Sequence, residues 1–372
     1  MLTHKDHFHG SDLEKIEQIY GIRKEDIVSF SANVNPLGIS PKLREHLAKH
    51  IDCITTYPDR EYSSLRQCMA DYVGTEKENI IVGNGSTELI SLFIQIEHPK
   101  KAMILGPTYS EYEREVSLGG GTTVYYPLKE ESGFKLDTTH FTSKLDDSID
   151  LLILCNPNNP TGVLIQQPLL VRIAEKCEKY GIHFLLDECF HEFLMAPDSY
   201  SMRTFLERFP HLFLVDAFTK IYAIPGLRLG YGLSADADLM EKIRDVIQPW
   251  SVSIPAQEAG IAALSEDTYV HNTRWLIREE RKYLARALHL LEMETFDSQA
   301  NYLFFKGPED LEEQCQKRGL LIRDCSNYRG LSKGYFRIAV RTREENDQLI
   351  KIFQDIIREK QKESGAIYGW RK

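Results

Sequence analysis

Four short segments carry residues whose types and order could do covalent chemistry on a carbonyl ligand: GNGSTE at 83–88, NPNNPTG at 156–162, DECF at 187–190 and FTKIYAIPGLRLGYG at 218–232. Lys220 follows an apolar run, and a lysine in a half-buried pocket can shed its proton and condense with an aldehyde. Taken alone, such a lysine reads far more often as a surface residue. Asp187 closes another apolar run, where a carboxylate is costly unless it meets a cation or a strong donor. A protonated ring nitrogen would serve. GNGSTE stands between the strand-like NIIV and the helix-like LISLFIQ, so its backbone N–H groups and two hydroxyls fall at a helix N-terminus. Such a turn either cradles a phosphate or merely caps a helix. Eight positions beyond Lys220, Arg228 sits in a Pro-Gly-Leu-Arg-Leu-Gly turn, within reach of an anionic group on whatever the lysine holds.

The elements that must position these residues follow from the hydrophobic pattern. Apolar runs at 102–106, 151–155, 183–187 and 212–217 alternate with helical patterns from about residue 40 to 250. That alternation predicts a mostly parallel sheet covered by helices, an α/β fold whose ligands sit beyond the carboxyl ends of the strands. Residues 11–20 read as a helix capped by Ser11, with Leu13, Ile16 and Ile19 on one face and Gly21 as its stop. Beyond about Pro255 the pattern changes to long amphipathic helices, 271–293 and 343–360, with strand-like NYLFF, GLLIR and YFRIAV between them. The expected division is a large domain over 40–253 and a smaller α+β domain built from 1–39 plus 254–372. There is no internal repeat, and the tail KQKESGAIYGWRK reads as a frayed polar end.

Length and composition bound the rest. With 372 residues and 42% apolar content, the chain can bury two cores. A formal net charge of -10, from 55 acidic against 45 basic residues, argues against nucleic acid or an anionic membrane as the main partner. Seven scattered cysteines show no CxxC pair and no metal-ligand spacing, which fits reduced thiols and no metal site. The N-terminus lacks the build of a signal peptide and no run approaches a membrane span. The expected location is the cytoplasm.

The order GNGSTE, PTYSEY, NPNNPTG, DE and TK with AIPGLRLGYG resembles the fold-type I aminotransferases, which use pyridoxal 5'-phosphate. The resemblance implies a role for each matching residue. Lys220 would carry the cofactor as a Schiff base, Asp187 would face its ring nitrogen, Asn159 would bond its phenolic oxygen and Tyr109 would stack on its ring. Arg228, Thr219 and the Gly85-Ser86-Thr87 turn would hold the phosphate. Tyr57 of TTYPD would reach across a homodimer interface into the neighbouring active site. Asp187 would keep the ring nitrogen protonated, so that the ring absorbs the electron pair left when a bond to the substrate Cα breaks. Lys220 would also return a proton.

Within that group the chain resembles two families, histidinol-phosphate aminotransferases and threonine-phosphate decarboxylases of cobalamin biosynthesis, and leans to the second. The segments FSANVNPLG at 30–38, QPWSVS at 248–253, RDCSNYRGL at 323–331 and YFRIAVR at 335–341 carry that resemblance, with His9-Gly10 in the arm. Phe190 stands where the aminotransferases usually have tyrosine, which removes a hydrogen bond worth about 1 kcal/mol; it is equally a packing choice. The resemblance implies a phosphorylated amino acid as substrate, with Arg323 and Arg337 as anchors for its carboxylate and phosphate, and with His9 and Asn33 lining the phosphate end. Each arginine also has a plain reading as a solvated strand-end charge. The chain departs from the decarboxylase pattern at Asp216 and Ala217, where arginine and serine are common, and at Ser11, where glycine is usual. A shifted preference toward phosphoserine is therefore open. The leading expectation is decarboxylation of O-phospho-L-threonine to (R)-1-aminopropan-2-yl phosphate. Transamination of histidinol phosphate with 2-oxoglutarate is the rival, and a non-catalytic ligand-binding scaffold is a third reading.

Overall fold

The computed structural model describes residues 13–363 of the chain. His9, the Ser11 cap and the tail beyond Glu363 lie outside the described residues, whereas the first four residues of the segment read as a frayed end, 360–363, continue the last helix. The first helix runs Leu13–Tyr20. Leu13 and Tyr20, seven apart and so on one face, pack with Ile22 against Ile27 and Leu321. Ile19 does not share that face. It is 59% exposed, because six residues of helix carry it about 240° round from Leu13. A two-residue strand β1 (Val28–Ser29) follows.

The large sheet has seven strands: β2 (Ile80–Asn84), β3 (Lys101–Gly106), β4 (Thr122–Pro127), β5 (Leu151–Cys155), β6 (His183–Asp187), β7 (Leu212–Ala217) and β8 (Leu229–Leu233). Their order is β2-β8-β7-β6-β5-β3-β4. β5 and β7 are buried at every residue, as expected of interior parallel strands covered on both faces. The pleat sends Leu151 and Ile153 into one apolar core with Leu89, Phe93 and Phe213, and Leu152 and Leu154 into another with Ile173 and Leu186. Phe93, on the helix Ser86–Glu97, stacks on Phe213 of β7 at 4.7 Å between centroids. That contact seats the helix on the sheet.

β8 alone runs antiparallel to both of its neighbours. Its amino end therefore lies at the edge where the other strands have their carboxyl ends. Residue 228 is delivered to that edge by a short turn from residue 220, with no crossover helix between them.

The smaller sheet is antiparallel and contains β9 (Glu294–Thr295), β10 (Tyr302–Lys306), β12 (Arg323–Asp324) and β13 (Tyr335–Ala339) in the order β12-β13-β10-β9. Between them β11 (Leu320–Leu321) pairs parallel with β1, bringing the segment after residue 29 to the small sheet. Two long helices, Asp267–Leu290 and Arg343–Glu363, cross near Glu280, which accepts from Arg343 and from Asn346 Nδ2 at 2.9 Å. The architecture is fold-type I aminotransferase-like: a large domain with a mostly parallel sheet between helices and a smaller domain with an antiparallel sheet. No helix among the described residues is long and apolar enough to cross a membrane.

Candidate active site

The carboxyl ends of β3, β5, β6 and β7, the turn after β2 and the approach to β8 open on one cavity of about 420 Å³. At the end of β2 the chain turns through Gly85, with φ +76°, into the helix Ser86–Glu97. A Cβ at Gly85 would lie 2.5 Å from Arg228 Nη2. Only glycine both adopts this φ and lets the guanidinium lie against the turn. Glu88 reaches back to accept from Asn84 N at 2.6 Å, which locks the turn. Ser86 and Thr87 face the cavity, and Arg228, itself at φ +57°, closes the same rim. Two hydroxyls, a helix N-terminus and a guanidinium together suit an anion.

Opposite that rim, Asp187 is buried at the end of β6. Its Oδ2 accepts from Tyr112 OH at 2.6 Å and its Oδ1 from Cys189 N at 2.9 Å. Burial pushes its pKa up, against the Cys189 and Tyr112 donors, and nearby Asp216 adds to the rise. A cation placed beside it would relieve that cost. Tyr109 also faces the cavity, its ring 5.5 Å from Tyr112 and edge-on to it.

Lys220 sits in a single helical turn, Phe218–Ile221, directly after β7. Burial lowers its amine pKa, and Arg337 and Arg228 lower it further, while Cys189 and Asp187 oppose. This is the environment that favours the neutral, nucleophilic amine. Asn35 anchors the turn: its N donates to Lys220 O at 3.0 Å and its Nδ2 to Ile221 O at 2.7 Å.

Two arginines enter from the small sheet. Arg323 on β12 and Arg337 on β13 are direct cross-strand partners, both buried and both lining the cavity. Arg337 Nη1 donates to Asn159 Oδ1 at 2.5 Å and Nη2 to Ser31 O at 2.9 Å, while its Nε has no partner among the described residues. Arg323 Nη2 donates to Asn327 Oδ1 at 3.1 Å, and its guanidinium lies 5.4 Å over the Tyr328 ring. Asn33 lines the cavity, and its Oδ1 has no partner among the described residues.

The structure thus brings Asn33, Ser86, Thr87, Tyr109, Asn159 and Asp187 to one cavity, with Thr219, Lys220, Arg228, Arg323 and Arg337. Gly85 stands behind Arg228 rather than on the cavity surface. Tyr57 lines no part of the cavity within this chain; it is 79% exposed, with its ring 4.9 Å from that of Trp250. His9 lies outside the described residues. Sequence reasoning passed over Tyr112, Ser31, Asn35, Cys189 and Tyr328. Tyr112 had a legible signal, standing three residues after Tyr109 on a helical start and so on the same side. Asn35 and Ser31 are set by contacts with distant segments and carried none.

The family model described as aminotransferase class I and II matches residues 25–353. The chain is 35% identical over 353 residues to a threonine-phosphate decarboxylase of Salmonella typhimurium, covering 94% of this chain and 96% of that protein. It is 37% identical over 333 residues to a putative threonine-phosphate decarboxylase of Caldanaerobacter subterraneus, covering 88% and 90%. Among solved structures, a histidinol-phosphate aminotransferase of Clostridium acetobutylicum superposes with a TM-score of 0.84 at 29% identity, covering 90% of this chain and all of that one. The chain belongs to the class I and II aminotransferase family.

Proposed function

We propose that the protein is a pyridoxal 5'-phosphate enzyme that decarboxylates O-phospho-L-threonine to (R)-1-aminopropan-2-yl phosphate and carbon dioxide, in cobalamin biosynthesis. The single observation that carries the substrate class is the pair Arg323 and Arg337. Two buried guanidiniums on adjacent strands face the same cavity as Lys220, a setting for a ligand with two separate anionic groups. The decarboxylase names of the two relatives, at 35% and 37% identity, support the reaction.

The residues present fit the cofactor. The Gly85 turn lets the Arg228 guanidinium lie at the cavity rim because it carries no Cβ, and the buried Asp187 carboxylate calls for a cation. Ser86, Thr87, Thr219 and Arg228 would hold the phosphate, Asp187 the ring nitrogen, Asn159 the phenolic oxygen and Tyr109 the ring face. When bound, the cofactor supplies an aldehyde for the amine of Lys220 and an electron sink for the bond broken at the substrate Cα. The protein orients that bond. With carboxylate and phosphate each held by an arginine, the protein would orient the bond to the carboxylate for cleavage, and Lys220, lining the same cavity, would return a proton to Cα.

The active unit on this reading is a homodimer in which the exposed Tyr57 enters the neighbouring cavity. The division of the chain at about residues 40 and 253 belongs to the same proposal; the large sheet between 80 and 233 supports it. Seven free cysteines suit a reducing cytoplasm. The test is a panel of phosphothreonine, phosphoserine and histidinol phosphate with 2-oxoglutarate, scored for carbon dioxide and for glutamate. Carbon dioxide from phosphothreonine without keto acid is the expected result. Rapid glutamate formation without carbon dioxide overturns it in favour of transamination.

A further inference from the structure

Behind the cavity wall lies a cluster of charged side chains with no access to the ligand. His191, Glu192, Arg203 and Asp216 are all buried there, with Glu188 beside them. Ala217 lines the cavity, and the alternation of a strand sends its neighbour Asp216 to the opposite side of β7. Asp216 Oδ2 faces His191 Nδ1 at 3.2 Å and accepts from Tyr231 OH at 3.0 Å, while its Oδ1 accepts from Ala217 N at 2.6 Å. His191 Nδ1 also lies 2.9 Å from Glu188 O, and its Nε2 faces Glu192 Oε1 at 3.4 Å and Arg203 Nη2. Glu192 accepts from Arg203 at 3.0 Å and from Arg274 at 2.6 Å. Arg274 stands on the helix Asp267–Leu290, and its Nε donates to Glu192 O at 2.7 Å. Tyr72 and Tyr222 complete the surroundings.

Charges buried this deeply are costly, and replacement by apolar packing would serve stability as well or better. Their placement relative to the site gives them another use. His191 follows Asp187 by four residues on the segment leaving β6, and Asp216 precedes Lys220 by four residues at the end of β7. β6 and β7 are parallel neighbours, so one contact bridges the two strand ends that carry the two chemical groups.

We propose that the His191–Asp216 pair is a positioning element for the reaction: it sets the Asp187 carboxylate relative to the Lys220 amine, and the Asp216 charge adds to the field at Asp187. The direction of the Asp187 shift supports this, since Asp216 contributes to its rise. At His191, burial and Arg203 oppose the proton, while Glu192 and Asp216 hold it up to about 9.

The inference rests on the cofactor reading above, and the experiment separates the two. The full chain is first shown to bind pyridoxal phosphate by absorbance; failure at this step sinks the functional proposal itself. Asp216→Asn and the double variant His191→Gln/Asp216→Asn are then compared with Asn346→Ala, which removes a buried hydrogen bond in the smaller domain. In Asp216→Asn the pH midpoint of the bound cofactor's absorbance change should fall by about half a unit or more, and in the double variant, which also removes the imidazole, by a smaller amount. Their kcat should fall about tenfold with KM within about twofold. Asn346→Ala should lower the melting temperature and move neither. The neutral double variant keeps a hydrogen-bonding pair and serves if Asp216→Asn does not fold. If the wild-type chain binds cofactor and the Asp216 variants shift the midpoint no more than Asn346→Ala, the pair is structural only and the positioning role is overturned.

Discussion

Arg337 Nη1 donates to Asn159 Oδ1 at 2.5 Å, joining the small antiparallel sheet to the loop after β5 of the large one. One end of the Asn159 amide is thereby committed to the protein, which leaves its Nδ2 to face a ligand oxygen. The same bond holds Arg337 across the cavity from Lys220.

Arg337→Lys keeps the charge but loses the planar fork and the bond to Asn159. Steady-state assays with phosphothreonine should show kcat/KM lower by roughly 30- to 200-fold, equivalent to about 2–3 kcal/mol. Arg323→Lys should cost a similar factor. A loss under threefold in both variants would remove the arginine pair as the substrate clamp.

Lys220→Ala should abolish covalent attachment of the cofactor. Borohydride reduction followed by peptide mapping should find the adduct on Lys220 in the wild type and nowhere in the variant. Turnover should fall by at least about 10³-fold. An adduct on any other lysine contradicts the assignment.

Asp187→Asn should act in opposite directions on the empty and loaded protein. Burial raises the Asp187 carboxyl above its ordinary value of 3.8. A group whose folded pKa is raised contributes stability below that ordinary value and loses it as pH climbs through the raised one. At neutral pH the cofactor-free wild type therefore carries an unfavourable buried charge, and the cofactor-free variant should melt higher. At pH below the ordinary value the difference should vanish. With cofactor the order reverses, because asparagine cannot hold the ring nitrogen protonated, and activity should drop about 10²- to 10³-fold. Differential scanning calorimetry with and without cofactor reads all three.

Gly85→Ala introduces a Cβ at 2.5 Å from Arg228 Nη2 and at φ +76°. The backbone conformation alone, with positive φ and ψ of 164°, costs about 1–3 kcal/mol. Displacement of the guanidinium should weaken cofactor binding by about tenfold, read by fluorescence titration. Alanine at Gly74, also at positive φ but in open space, should cost stability and leave cofactor affinity unchanged.

Tyr57 is 79% exposed, with its ring tilted against that of Trp250 in its own chain. If it completes a neighbouring cavity, Tyr57→Phe should weaken cofactor binding several-fold while the melting temperature of the cofactor-free protein holds. Sedimentation should give a dimer for both proteins. A monomer with full cofactor affinity would exclude the shared site.

The interior strands were legible because burial on both faces calls for largely apolar runs, as in LLILC and LFLVDA. β4 escaped notice because it lies at the sheet edge and only Tyr126 along it is buried. β8 was hidden in a glycine-rich segment: Gly230 gives room to the Ser86 amide, and Gly232 to Phe213. In the site, residues placed by their own strand end could be found from local sequence. Asn35, Ser31 and the His191–Asp216 pair could not, since each acquires its meaning from a partner far along the chain. Asp216 was visible only as a departure from a family pattern, without the imidazole that explains it.

The reversed course of β8 has a consequence for how this chain tolerates length changes. Every other pair of neighbouring site segments is separated by a helix or loop that can absorb an extra residue. Between Lys220 and Arg228 there is only a short connection that includes the 3-10 helix Pro225–Leu227, and β8 begins at once. One residue inserted there would shift the register of β8 by one, turning Tyr231 away from Asp216 and swapping the faces of Leu229 and Leu233. The same insertion in the stretch between Thr142 and Leu151 would leave the active end of the molecule untouched. Natural variation and engineered peptide tags should therefore be admitted at the second place and refused at the first.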